Sequence, residues 1–263
     1  MHTHESNIEN LTGLFKKYGA QHIHNTTIPL LYANTYWPNR CWFEWGDISD
    51  DEIRQALQSP TDIKTLQDKI PNSAIVSVWP MMNHSGDVNL IELYDHFINE
   101  ILIQNNWVCK NKQTAMYIEI KDAQKNKSLI NSGFKMEVVT TSKGVEKWVD
   151  IGNEAFLYSI DQHVIEHLKN DINIQILLGH QNGKAIASAL LYKSGDVIGI
   201  HQLGVKQDFQ GQGIAKRFMQ EILSACILWQ GKYIVLQASP SGKSLYDNLG
   251  FRTQFSITNF HKI

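Results

Sequence analysis

The sequence predicts an α/β fold of the mixed α+β kind: a central mixed sheet flanked by helices in the C-terminal half, with an additional α/β domain ahead of it. Three segments lead there. "DVIGIHQLGV" (196–205) is short, apolar and β-branched and follows the turn signal Ser194-Gly195, so it reads as a strand. "GIAKRFMQEILSACILWQG" (213–231) sets Ile214, Phe218, Met219, Ile222, Cys226 and Trp229 near the spacing of a buried helical stripe, closed by Gly231. "YIVLQA" (233–238) is a second strand, and a crossover through a helix makes the two strands parallel.

The other elements follow in order. In an N-terminal domain over residues 1–130, "IENLTGLFKKYG" reads as a helix, "AIVSVWP" as a strand, "LIELYDHFINEILIQNNW" as a helix and "KQTAMYIEI" as a strand. The aromatic cluster "YWPNRCWFEW" (36–45) reads as core, with the lining of an acceptor or interdomain cleft as the alternative. "KDAQKNKS" (121–128) is the expected linker to a second domain over 131–263. There "VEKWVDIGNEAFL" and "DQHVIEHLKN" read as helices. Three strands follow over 172–205, a meander turning at Gln181-Asn182-Gly183 and Ser194-Gly195.

Composition narrows the function classes. Over 263 residues, 24 basic and 26 acidic side chains give a formal charge of −2, and no long run of either sign points to nucleic acid or a membrane surface. Cys41, Cys109 and Cys226 are far apart and odd in number, neither a disulfide framework nor a CxxC site, which fits a reducing compartment. "MHTHESNIEN" has no apolar h-region, and no later stretch is apolar over the about 18 residues that a span needs, so a cytoplasmic protein is expected.

The chemistry is expected at "DFQGQGIAKR" (208–217), a glycine turn between strand and helix. A helix N-terminus offers unpaired N–H groups and about half a positive charge, and glycines let an anion reach them. The bland alternative is a glycine pair that only tightens the turn. Two familiar phosphate loops fail. In GxGxxG, Lys216 stands where the third glycine belongs and no acidic residue follows near Gln237. "SGKS" (241–244) imitates the end of a Walker A loop, but Gln237 occupies the position of its first glycine.

What matches is Q/R-x-x-G-x-G/A, at Gln210, Gly213 and Ala215, together with "ASPSGKSLYDNLGF" (238–251), which carries LYxxxGF. Two such segments, in this order and separated by a helix and a strand, resemble the acetyl-CoA-binding motifs of the GCN5-related N-acetyltransferase (GNAT) superfamily over roughly residues 135–263. The resemblance implies acetyl-CoA as acyl donor and no metal. It implies cofactor contacts from Leu203, Gly204 and Val205, from Gln210, Gly211, Gln212, Gly213, Ile214 and Ala215, and near Ser239 and Ser241. Ser239 stands where many members have asparagine. Tyr246 is placed at the thioester, as the acid for the departing thiolate. His201 and Glu154 are the side chains positioned to serve as base, although water can also take the amine's proton. The N-terminal half reads as a degenerate copy of the same fold without its glycine loop.

The acceptor expected is a small-molecule or peptide amine of unspecified identity. Two rival functions remain at this stage: a non-catalytic acyl-CoA-binding module, and a zinc peptidase built on His163, Glu166 and His167, which satisfy HxxEH. "HIH", "WPMMNH" and "MHTH" read as chance composition.

Overall fold

A computed structural model describes residues 3–23, 30–45, 49–81, 88–123 and 133–263. In chain order the elements are α1 (Thr3–Lys17), β1 (Gln21–His22), β2 (Leu30–Ala33), β3 (Arg40–Glu44), α2 (Asp50–Leu57), α3 (Pro60–Lys69), β4 (Ile75–Val78), α4 (Val88–Ile101), β5 (Trp107–Glu119) and α5 (Ile120–Ala123). There follow β6 (Phe134–Val138), α6 (Ser142–Phe156), α7 (Gln162–Leu168), β7 (Ile174–Gln181), β8 (Lys184–Ser194), β9 (Val197–Val205), α8 (Ile214–Leu228), β10 (Tyr233–Ala238), α9 (Lys243–Asn248) and β11 (Arg252–Lys262). No described helix is long and apolar enough to cross a membrane.

The chain forms two compact units that interleave in sequence, Met1–Lys17 with Ala115–Gln254, and Tyr18–Thr114 with Phe255–Ile263. A single boundary at 130/131 does not describe this division. Two long strands, β5 and β11, each give part of their length to either unit, and a helix from the far N-terminus joins the first. Of the expected linker, Lys121–Ala123 continue β5 as the short α5, and the rest lies outside the described residues.

In the first unit the strands run in the order β5–β10–β9–β8–β7–β6. The pairs from β6 to β9 are antiparallel and β9 with β10 is parallel, as the crossover requires. The stripe of α8 is buried as its spacing predicts: Ile214, Phe218, Met219, Ile222, Leu223 and Cys226 pack on Ile198, Ile200, Ile234 and Leu236. Its end differs from expectation. Gln230, not Gly231, takes the left-handed φ of 59° that turns the chain out of the helix. Gly231 is needed for space, since a Cβ there would lie 2.8 Å from Ile198 Cδ1. The other face of the sheet is covered by α1 and α6, where the fully buried Trp148 donates its indole N–H to Ala189 O at 2.8 Å.

The second unit runs β1–β2–β3–β4–β11, with β3 and β4 parallel through α2 and α3. Those two helices escaped the sequence reading, although "SDDE" supplies a capping box of Ser49 with Glu52 and Ser59-Pro60 a second start signal. The aromatic cluster is mostly core: Trp42 and Phe43 are buried and Trp45 stacks edge-on against Tyr94 and Phe97, while Tyr36 is 72% exposed. The helix expected over 90–107 stops at Ile101. Asn106, at φ 64°, turns the chain, and Trp107 begins the next strand.

Phe218 is fully buried at the centre of α8's contact with the sheet and packs 5.7 Å from the Phe134 ring. Phe218→Ala is expected to lose about 3–5 kcal/mol in urea unfolding, the cost of a large core cavity. A loss below about 1 kcal/mol would show that α8 is not anchored there.

Candidate active site

The site begins where two strands part. The parallel ladder of β9 and β10 runs from Val197–Tyr233 to Ile200–Leu236 and goes no further. On the other side of β9, Leu190 faces His201 and Ser188 faces Gly204, so Gln202 and Leu203 together oppose Ala189 alone. This is a β-bulge, with Gln202 at a left-handed φ of 52°. The extra residue swings the end of β9 away from β10 and leaves Leu203, Gly204 and Val205 unpaired on that side.

From the end of β9 the chain enters the glycine turn, which is braced from several directions. Glu154, on α6, accepts from Gln207 N at 3.0 Å and pairs with Lys206 Nζ at 3.0 Å. Gln210 Nε2 donates to Val205 O at 3.0 Å, and Gln212 Nε2 to Asp208 O at 2.9 Å. Gly211 and Gly213 then take φ of 73° and 74°, conformations that strain any other residue, and a Cβ at either would meet nothing within 4 Å. The amides of Gly211, Gln212, Gly213, Ile214, Ala215 and Lys216 donate to no acceptor among the described residues. Arg217 N, bonded to Gly213 O at 3.1 Å, is the first to close a helical bond. Six free donors at the positive end of the 15-residue α8, with open space beside Gly211 and Gly213, are chemically suited to an anion such as a pyrophosphate.

The second motif follows β10. Ser239 Oγ accepts from Gly242 N at 3.1 Å and lies 3.1 Å from Ser241 Oγ, so both hydroxyls help form the turn into α9. Tyr246, on α9, is half-buried with its ring edge-on to Phe251 at 5.8 Å. Its hydroxyl bonds to no described residue, and burial pushes its pKa up to about 12.

The two candidate bases do not suit the role. His201 is 7% exposed, and burial holds its pKa down to about 3 despite a hydrogen bond with Gln237. Its Nε2 lies 3.1 Å from Asn10 Oδ1; because Asn10 Nδ2 already donates to Tyr192 O at 3.0 Å, that oxygen must accept and the imidazole must donate. Glu154 is held below the usual carboxylate range by the Lys206 ammonium, and it positions the turn. The HxxEH segment is likewise engaged elsewhere: Glu166 binds Lys169 and accepts from Ser142 Oγ at 2.8 Å, and His167 Nδ1 faces His163 O at 2.6 Å. No group of three potential metal ligands stands together among the described residues.

Asn7, Asn10 and Gln237 were not legible in the sequence: Asn10 and Gln237 bond His201, and Asn7 holds Gln237. The available signal was an asparagine pair three apart on the same side of the helix as Leu11, Leu14 and Phe15, and Gly199 inside a strand, a mark of close backbone approach.

The imidazole carries a pH prediction. Unfolded, His201 takes up a proton near pH 6.5; folded, it does so only near 3. Its contribution to stability is therefore complete above pH 6.5 and is lost as pH falls through that window, by about 1.4 kcal/mol per pH unit. Between pH 6.5 and 5, wild type is expected to lose about 2 kcal/mol more in urea unfolding than His201→Gln. Parallel losses in the two proteins would show that the imidazole titrates normally.

Comparison with known proteins bears on the fold and the family. Residues 140–263 match the acetyltransferase (GNAT) domain family. No curated protein matches the chain. Among solved structures, a GCN5-related N-acetyltransferase from Kribbella flavida superposes with a TM-score of 0.64 at 12% identity, covering 98% of this chain and 94% of that one. A functionally unknown conserved protein from Staphylococcus epidermidis gives 0.57 at 15%, covering 92% and 93%. A GCN5-related N-acetyltransferase from Sphaerobacter thermophilus gives 0.58 at 12%, covering 88% and 75%. At these identities the superpositions speak for the fold, and the family match for its C-terminal half. Residues 140–263 of this chain belong to the GNAT acetyltransferase family.

Proposed function

We propose that the chain transfers an acetyl group from acetyl-CoA to an amine, by direct attack with both substrates bound. The observation that carries this is the run of six unpaired amides from Gly211 to Lys216, next to a fork in the sheet and inside the family match. In this reading the amides from Gly211 to Ala215 hold the pyrophosphate, and Gln210, its own amide bonded to Gln207 O, braces the turn at its start. The freed backbone of Leu203, Gly204 and Val205 lines the pantetheine arm, and Ser239 and Ser241 border it. Acetyl-CoA supplies the thioester, an activated acyl group with sulfur as leaving group. The same reading takes the second unit as a degenerate copy. It repeats the order of an antiparallel pair, a parallel crossover, a helix and a strand, yet its β3–α2 connection carries Gly46 alone.

An alkylamine of pKa about 10.4 must lose a proton before it attacks. With His201 donating to Asn10 and Glu154 paired to Lys206, that proton goes to solvent. Tyr246 donates a hydrogen bond to the sulfur as charge builds there. Complete transfer from a phenol at about 12 to a thiolate whose acid has pKa about 8.5 is uphill, so the hydroxyl acts chiefly as a donor and solvent supplies the final proton.

Calorimetry with CoA and thiol release across an amine panel test the reading, and absence of CoA binding at millimolar ligand ends it. Turnover with no amine, despite CoA binding, would leave an acyl-CoA-binding module. Gly213→Ala is expected to weaken CoA binding about tenfold or more, since each amide–phosphate bond contributes about 1.5–3 kcal/mol. Gly19 sits at φ 92°, also in open space and in the other unit, so Gly19→Ala imposes a comparable backbone strain away from the cradle and should leave affinity unchanged. Equal effects of the two would make the turn merely structural. Tyr246→Phe keeps the ring and removes the donor, and kcat is expected to fall about tenfold with CoA affinity nearly constant. An undiminished kcat would reduce Tyr246 to packing.

A further inference from the structure

Asn7 and Asn10 lie three residues apart in α1, and both are 0% exposed. Buried amides need partners, and these find theirs across the sheet. Asn10 Nδ2 donates to Tyr192 O at 3.0 Å and to Ser194 Oγ at 2.8 Å, which turns its Oδ1 to His201 Nε2 at 3.1 Å. Asn7 Nδ2 donates to Met116 O at 3.2 Å and Gln254 Oε1 at 2.6 Å, and its Oδ1 accepts from Gln237 Nε2 at 2.7 Å. Gln237 in turn hydrogen-bonds His201.

The position of this chain of side chains matters more than its length. His201 and Gln237 are the residues immediately past Ile200–Leu236, the last pair in the ladder of β9 and β10. One residue further, Gln202 bends β9 away. The four side chains therefore tie the strands together at the point where the cleft opens. The depth of the helix is set by glycine: a Cβ on Gly199 would collide with Asn10 Oδ1 and His201 Nε2, and a Cβ on Gly13 would lie 3.1 Å from the Tyr192 ring.

We infer that α1, from the opposite end of the chain, is a working part of the acyl-CoA site: Asn7 and Asn10 clamp the β9–β10 fork through Gln237 and His201 and so set the width of the cleft. His201 is on this account a positioning residue and exchanges no proton during turnover. The inference rests on the acyl-CoA reading above.

The test is CoA affinity, kcat and melting temperature for His201→Leu, His201→Gln, Asn10→Leu and Leu14→Ala in the full chain. His201→Leu and Asn10→Leu break the clamp and should weaken CoA binding about tenfold or more and raise the KM for acetyl-CoA, with kcat changing less. His201→Gln keeps a side-chain donor and should restore affinity to within about threefold, with the pH profile of kcat unmoved. Leu14→Ala removes a buried apolar contact of the same helix and leaves the clamp intact, so it should lower the melting temperature without changing affinity. Where a leucine variant fails to fold, His201→Gln and Leu14→Ala decide. Affinity that tracks melting temperature across all variants would overturn the inference, as would loss of kcat and of its acid limb in His201→Gln. Wild type that binds no CoA would instead overturn the acyl-CoA reading itself.

Discussion

The parting of β9 from β10 is the constraint on which the site depends. Parallel strands joined by one helix would otherwise stay paired to their ends, and their backbone groups would all be consumed by the ladder. Here the ladder stops at Ile200–Leu236, and a bulge at Gln202 and Leu203 against Ala189 turns β9 outward. The same turn aims the chain into the glycine segment, whose left-handed Gly211 and Gly213 carry it to the N-terminus of α8 with its amides still unpaired. Each step follows from a local departure from regular structure. Gln202 accepts an unfavourable φ, and its cost is offset by the packing of α6, whose Ala155 and Phe156 leave no room for a Cβ at Gly204.

Polar groups stabilise this irregular region because apolar packing alone has no directional preference. The carboxylate of Glu154 holds both Lys206 and the Gln207 amide, so the segment after β9 is pinned by one side chain with two roles. Gln210 and Gln212 return to the carbonyls of Val205 and Asp208, which rigidifies the segment and satisfies those oxygens. Below the fork, His201 remains neutral inside a ring of amides, a group that is well satisfied at neutral pH and costly to protonate.

What could be read from the sequence was local. The crossover, the meander, the stripe of α8 and the anion loop each lie within a few tens of consecutive residues, where periodicity and glycine spacing carry the information. The interleaved units could not be read that way, because they depend on β4 pairing with β11, whose paired residues lie 180 or more positions apart, as Thr258 and Val78 do. The roles of His201 and Glu154 failed for the same reason. Their positions near the cleft were apparent, but their partners were not: Asn10 lies 191 residues from His201, and Lys206 reaches Glu154 from the far end of β9. Tyr246, by contrast, owes its free hydroxyl to a short helix within its own motif.

The proposed function stands or falls on whether the unpaired amides of the glycine turn bind the phosphates of acyl-CoA. Titration of 15N-labelled protein with CoA, followed by amide chemical shifts, addresses it residue by residue. The largest shifts are expected on Gly211 to Lys216, with smaller ones on Leu203 to Val205. Shifts confined to other parts of the chain, or saturable binding with the glycine amides unmoved, would contradict it.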